Sequence, residues 1–235
     1  VSPLAVEAAG LGRRYGRRWA LVDVALRVPR GHVVMVSGRN GSGKSTLLRV
    51  LASAIRPTRG TVRIEGFDLH EATEEVRRRT ALLGHASFTY DALTAIENLR
   101  ITARFLGRGA DRGALLAALA EVGLADRPDD AVETFSAGMR KRLALARVLM
   151  QDAAVVLLDE PYGQLDPPGF RLVDRLLGRL RQAGRTVLMA THLLERGADL
   201  CDEGLILESG RVAWAGAAAD LPAQAAAGLD EGATA

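Results

Sequence analysis

Gly38-Arg39-Asn40-Gly41-Ser42-Gly43-Lys44-Ser45 has glycines, a lysine and a hydroxyl at the G-x-x-x-x-G-K-[ST] spacing. Glycines at these positions let backbone N–H groups converge on phosphate oxygens, and the helix that follows adds a favourable dipole. Lys44 is a compact charge that reaches the β- and γ-phosphates, while Ser45 offers its hydroxyl to Mg²⁺; Thr46 completes the loop. The composition sharpens this point. Of 31 basic residues only Lys44 and Lys141 are lysine, which leaves 29 arginines. Where arginine is the default, position 44 keeps an ammonium. The loop is expected to hold a nucleoside triphosphate.

Two further stretches supply partners for such a ligand. "VVLLDEP" ends an apolar run in Asp159 and Glu160. A carboxylate at the end of a buried strand suits a Mg²⁺ on the triphosphate, and Glu160 would turn toward a water in line with the γ-phosphate. The plainer alternative is that the acidic pair caps the turn before Pro161. His192 closes "TVLMATH", where its imidazole is placed to hydrogen-bond the γ-phosphate and the attacking water. Taken alone it would be an ordinary turn residue.

"ETFSAGMRKRLALARVLM" (133–150) reads as a second anion cradle. Ser136 is placed to cap a helix and Gly138 to bring the turn close to a ligand. Arg140, Lys141 and Arg142 would then crowd a helix start whose dipole disfavours cations, unless an anion docks there. A plain capped basic helix is the alternative. The chain has no second Mg²⁺ acid and no second phosphate-loop lysine, so this cradle is expected to grip a nucleotide held by a second copy.

These residues need a frame to position them. "LVDVALRV" (21–28) alternates, with Val22, Val24, Leu26 and Val28 expected on one face. "HVVMVSG" (32–38) is apolar throughout, as a central strand buried on both faces would be. "STLLRVLASAI" (45–55) sets Leu47, Leu48, Leu51 and Ile55 along one side of a helix. A helix is expected over 74–79 and a short strand over 80–85. Residues 91–150 carry helical spacing with no strand candidate. The core resumes with "AVVLLDE" (154–160), a helix near 169–183, "TVLMATH" (186–192) and a hairpin turning at Ser209-Gly210. After Gly216 an alanine-rich helix with a frayed end is expected.

The chain of 235 residues, 48% hydrophobic and 25% charged, reads as one domain of ordinary globular composition. The expected organisation is an α/β core over 1–90 and 151–216, a helical subdomain over 91–150 and an alanine-rich tail over 217–235. No apolar run approaches the ~18 residues of a membrane span, and no leader pattern opens the sequence. The chain is therefore expected in the cytoplasm. Cys201 is the only cysteine, which excludes an internal disulfide and a cysteine-based zinc site. The net charge of +3 comes with interspersed acids and only 4% aromatics, so nucleic acid is not the expected partner.

Taken together these motifs resemble the ATP-binding subunits of ABC transporters over essentially the whole chain. "GRNGSGKST" looks like their Walker A, "VVLLDE" their Walker B, "FSAGM" their LSGGQ signature, "GQLD" (163–166) their D-loop and "ATH" the stretch with their switch histidine. Tyr15, in "RRYGRRWAL", matches the aromatic that stacks on adenine in this family. The resemblance implies an α/β P-loop NTPase core with a mixed, mainly parallel sheet, an antiparallel β subdomain and an inserted α-helical subdomain. It implies ATP hydrolysis with Mg²⁺. It also implies a homodimer, or a heterodimer with another such subunit, in which Ser136, Ala137, Gly138 and Met139 meet the partner's ATP and Asp166 lies in the D-loop. Integral membrane permease subunits would hold the chain on the inner face of the cell membrane. The alternatives are a soluble ABC-type ATPase without a transport role and a weakly hydrolytic ATP-binding regulator. Phe135, Ala137 and Met139 depart from the signature, Gly163 replaces the D-loop serine, and Ala86 and Ser87 stand where the family has a glutamine. "LLGHASFTYDALTAIENL" and the signature alanine look most like the heme-exporter ATPase of cytochrome c biogenesis.

Overall fold

A computed structural model describes residues 3–84, 88–109 and 111–231. The elements run β1 (Leu4–Tyr15), β2 (Arg18–Pro29), β3 (Val33–Ser37), α1 (Lys44–Leu51), β4 (Arg59–Ile64) and β5 (Phe67–Asp68). α2 (Thr73–Arg79), β6 (Thr80–Leu83), α3 (Ala95–Phe105), α4 (Arg112–Glu121) and α5 (Ala137–Leu149) follow. The chain then continues through β7 (Val155–Asp159), α6 (Pro167–Gln182), β8 (Thr186–Ala190) and α7 (Leu194–Leu200). It closes with β9 (Glu203–Glu208), β10 (Arg211–Ala217) and α8 (Leu221–Glu231).

Two compact units emerge. The first comprises Val1–Leu82, Ala153–Glu160 and Leu176–Ala235. It holds a four-stranded sheet in the order β2-β1-β4-β5, antiparallel throughout, and a six-stranded sheet in the order β10-β9-β3-β8-β7-β6. In the second sheet β3, β8 and β7 run parallel, with Met35 opposite Met189 and Asp159 opposite Ala190. All five residues of each of these three strands are buried, as their unbroken apolar runs require. Leu47, Leu48 and Leu51 of α1 join Val24, Leu26 and Val28 of β2, Val34 and Val36 of β3, and Val155 and Leu157 of β7 in one core. A helix stripe thus buries its apolar side in the core shared by both sheets.

β2 departs from its expected alternation. Val24, Leu26 and Val28 are buried, but Leu21 rather than Val22 continues the core face. Asp23 sits at φ 56 where the pairing with β1 shifts register, so one extra residue inverts the phase of everything before it. β1 had no sequence expectation at all. Its "LAVEAAGLGRRY" mixes alanine and glycine into a weak pattern, and pairing with both β2 and β4 is what makes it a strand.

The second unit comprises Leu83–Asp152 and Pro161–Arg175. α3, α4 and α5 bury Leu99, Leu115, Leu119, Leu143 and Leu145, with Val132 and Phe135 from the connection. Thr94 begins α3 with a reciprocal capping box: its hydroxyl accepts from the Glu97 amide, and the Glu97 carboxylate accepts from the Thr94 amide at 2.8 Å. Among the described residues of 91–150 there is no strand, only an isolated bridge between Thr94 and Ala131. Pro161–Arg175, placed with the core by sequence spacing, belongs to this helical unit. Arg142 of α5 pairs with Asp166 at 2.9 Å, which ties the 162–166 turn to α5.

Candidate nucleotide site

The parallel strands bring their C-terminal ends to one edge of the six-stranded sheet. After β3 the chain enters the phosphate loop, after β7 comes Glu160, and after β8 come Thr191 and His192. Ligands of open α/β sheets bind along that edge. β8 lies between β3 and β7, so three of the expected stretches converge because of strand order alone.

Within the loop, Ser42, Gly43 and Lys44 are buried while Arg39, Asn40 and Gly41 are exposed. Gly43 sits at φ 112, and a Cβ there would lie 2.5 Å from the Ala20 carbonyl oxygen, so no other residue fits. Lys44 turns its ammonium back over the loop, donating to the Gly38 oxygen at 2.6 Å and the Arg39 oxygen at 3.0 Å. Burial lowers the Lys44 pKa from its ordinary value, and the nearby Glu160 and Asp159 carboxylates partly offset that. The Ser42 hydroxyl is buried without a hydrogen-bond partner among the described residues. A buried orphan hydroxyl beside a folded-back ammonium and the free amides of a helix start is a set of donors suited to a polyphosphate.

The Ser45 hydroxyl donates to Asp159 Oδ1 at 3.0 Å, and Asp159 is 2% exposed. Two hard oxygens at that separation suit Mg²⁺, which takes one or two protein ligands and leaves the rest to phosphate and water. Glu160 follows Asp159 at φ 48, and its amide donates to the Ala190 oxygen at 2.9 Å. Its carboxylate lies 3.0 Å from His192 Nδ1. Sequence spacing sent both residues to one crevice but did not show this pair. Tyr15 ends β1 as a 44% exposed residue, and the Arg13 guanidinium lies 4.6 Å from its ring centroid.

The helical unit holds the other expected residues. Ser136 is the N-cap of α5, its hydroxyl accepting from the Met139 amide at 3.2 Å. The three cations do not crowd an empty anion seat, which corrects the argument from the dipole. α5 begins at Ala137, so they fall in its second turn. Arg140 donates to the Val132 and Glu133 carbonyls, Lys141 is buried, and Arg142 pairs with Asp166. Gly138 keeps close quarters with the protein itself: a Cβ there would lie 3.0 Å from the Gln164 oxygen. Ala137 and Ser136 are exposed, Met139 half-buried. Asp166 also accepts from the Gly169 amide at 2.9 Å. Ala86, with His85 and Ser87, lies outside the described residues. One contributor had no functional expectation: Gly210, marked only as a hairpin turn, touches the phosphate loop.

Among the described residues no helix is long and apolar enough to cross a membrane. Residues 21–163 match the family described as ABC transporter. ABC transporter ATP-binding protein NatA of Bacillus subtilis (strain 168) is 34% identical over 207 residues, 86% of this chain and 83% of that protein. Cytochrome c biogenesis ATP-binding export protein CcmA of Pseudomonas fluorescens (strain Pf0-1) is 39% identical over 175 residues, 74% of this chain and 82% of that protein. A dimeric ATP-binding cassette in a post-hydrolysis state, bound to ADP and Pi, superposes with a TM-score of 0.83 at 26% identity, over 91% of this chain and 98% of that one. With the loop, the two acids and the histidine at one sheet edge, the chain belongs to the ABC transporter family as an ATP-binding, ATP-hydrolysing subunit.

Proposed function

We propose that the chain hydrolyses ATP as half of a dimer that drives an integral membrane permease from the inner face of the membrane. The observation that carries the chemistry is the pair of contacts at one sheet edge, Ser45 to Asp159 and Glu160 to His192, each 3.0 Å. Loop amides from Gly38 to Thr46 and the Lys44 ammonium hold the phosphates. Ser45 and Asp159 would hold Mg²⁺, which neutralises charge on the transferring phosphate when bound. Glu160 orients and deprotonates the attacking water, and His192 fixes the Glu160 carboxylate and reaches the γ-phosphate. The exposed Tyr15 ring is the stacking surface for adenine. The whole chain acts as a single ATPase domain, with residues 91–150 as the subdomain that faces the permease.

Ser136, Ala137, Gly138 and Met139, with Asp166 in the adjoining turn, complete the site of a second copy. The dimeric neighbour supports this reading, as does the exposure of Ser136 and Ala137. The test is a mixing experiment on a sizing column with excess MgATP, all chains carrying Glu160→Gln to stop turnover. Lys44→Ala and Ser136→Arg should each abolish the ATP-dependent dimer alone. Mixed, they should restore dimer through one whole composite site. A mixture that elutes wholly as monomer, while the Glu160→Gln parent dimerises, rejects the shared site.

The likeness of 82–99 and of the signature alanine to heme-exporter ATPases, with 39% identity to CcmA, favours a heme-exporter-like system as the transport role. Normal c-type cytochrome content in cells lacking the chain would rule it out.

A further inference from the structure

Three backbone segments of the first unit meet at one point: Ala20–Val22 of β2, Ser42-Gly43 of the phosphate loop, and the turn at Ser209-Gly210 between β9 and β10. The Gly210 amide donates to the Ser42 oxygen at 3.0 Å, and the Gly210 oxygen accepts from the Val22 amide at 2.7 Å. One residue of a distant hairpin therefore links the phosphate loop to the antiparallel sheet. Its geometry leaves no latitude. Gly210 has φ +79, and a Cβ on it would lie 2.7 Å from the Ala20 oxygen and 3.0 Å from the Ala20 carbonyl carbon. The same Ala20 oxygen is what a Cβ on Gly43 would strike at 2.5 Å. One strand of the hairpin also presses on the start of the loop, where a Cβ on Gly38 would lie 2.2 Å from the Leu207 oxygen.

We infer that the β9–β10 turn is a strut for the phosphate loop, and that Gly210 is a positioning residue for ATP. A trans peptide holds its C=O and N–H on opposite sides. Fixing the Ser42 oxygen on Gly210 therefore turns the Gly43 N–H away from the hairpin. Among the described residues no protein acceptor meets that N–H. The strut sets the direction of one amide that a phosphate oxygen would accept from, at the residue where α1 begins, and it does so from outside the motif.

The test is Gly210→Ala with equilibrium binding of MgATP. A side chain here must push the turn off Ala20 and so move Ser42, and the loss of one well-aimed hydrogen bond weakens binding about tenfold. The Kd for MgATP should rise by that factor in protein that is folded and melts cooperatively. A role confined to the stability of the hairpin would lower the nucleotide-free melting temperature and leave the Kd unchanged, which would overturn the inference. Should the variant fail to fold, hydrogen exchange on the Glu160→Gln protein decides. Exchange of the Gly210 amide should slow when MgATP is added, because the loop and its strut tighten together. Unchanged exchange would reject the strut. The parent's own affinity for MgATP keeps the two readings apart: if it binds none, the phosphate-loop reading falls first and this one with it.

Discussion

The phosphate loop and the signature turn are built from the same parts, small residues and a hydroxyl leading into a helix that carries lysine. They direct those parts in opposite ways. In the loop the Ser42 hydroxyl has no partner among the described residues, and Lys44 leans only on carbonyls of its own loop. At the signature the polar side chains already have protein partners: Ser136 holds the Met139 amide, Arg140 two carbonyls, and Arg142 the Asp166 carboxylate. The first region is poised for an anion of its own. The second has its side chains satisfied and offers an anion the first amides of α5 and its exposed surface at Ser136 and Ala137. A site that binds alone keeps its side-chain donors free, whereas a turn that packs on its own unit spends them on protein partners.

The largest effect tests the first region. Glu160→Gln should lose turnover by about 10²–10⁴-fold, the usual range for a general base, while keeping ATP affinity. Near-normal hydrolysis would remove Glu160 from the mechanism and leave its contact with His192 as a structural one. Next comes Lys44→Arg, which keeps the charge. The ammonium sits buried between two carbonyls at 2.6 and 3.0 Å, where a planar fork has no room to fold back. MgATP affinity should fall at least about tenfold. Equal affinity would mean that the loop needs only a positive charge, and the contrast with the signature's arginines would lose its basis.

How far these two regions were legible in the sequence follows the same division. The loop was legible because its requirements are local: glycine spacing, a lysine in an arginine-rich chain, and flanking apolar runs that became β3 and α1. That Asp159, Glu160 and His192 would come to one sheet edge was legible because the strands that precede them run parallel. The signature cations were misread, since the lengths that carry Arg142 to Asp166 and Arg140 to Val132 exist only after folding. β1 and the phase of β2 were hidden for a similar reason. A bulge at Asp23 reverses an alternation that a period-two pattern assumes to be continuous. Gly210 looked like a turn glycine, and nothing in its neighbours announces that Ser42 will lie 3.0 Å away.

A smaller effect asks whether Gly138 serves the protein or a ligand. Alanine there gains helix propensity, up to ~1 kcal/mol, because the position is inside α5 and carries no positive φ. Against that, its Cβ meets the Gln164 oxygen at 3.0 Å, and Gln164 is itself held at φ 67. Overpacking against backbone costs ~1–3 kcal/mol, so the contact should win. The melting temperature of the nucleotide-free Gly138→Ala chain should drop by about 2–4 °C. A rise would show that the 162–166 turn yields easily, and that glycine is kept at 138 for the partner's nucleotide.

The smallest effect concerns the ion pair that ties the turn to α5. Asp166→Asn keeps a side-chain oxygen for the Gly169 amide and removes only the charge facing Arg142. In the native chain the Asp166 carboxyl is held below its ordinary value of 3.8, first by the Gly169 amide and then by the Arg142 guanidinium. A depressed folded-state pKa contributes stability above the unfolded value and loses it as pH falls through the folded one. The carboxylate is well exposed, so solvent screens most of this. The native chain should melt slightly above Asp166→Asn at pH 7, and the gap should narrow once pH passes below about 4. Paired melts cancel the acid titration common to both chains, which makes a small difference readable. A gap that is the same at pH 7 and pH 3 would show that the charge does nothing. Hydrogen-bond geometry alone would then hold the turn to α5, and the signature region would owe its internal satisfaction to neutral contacts.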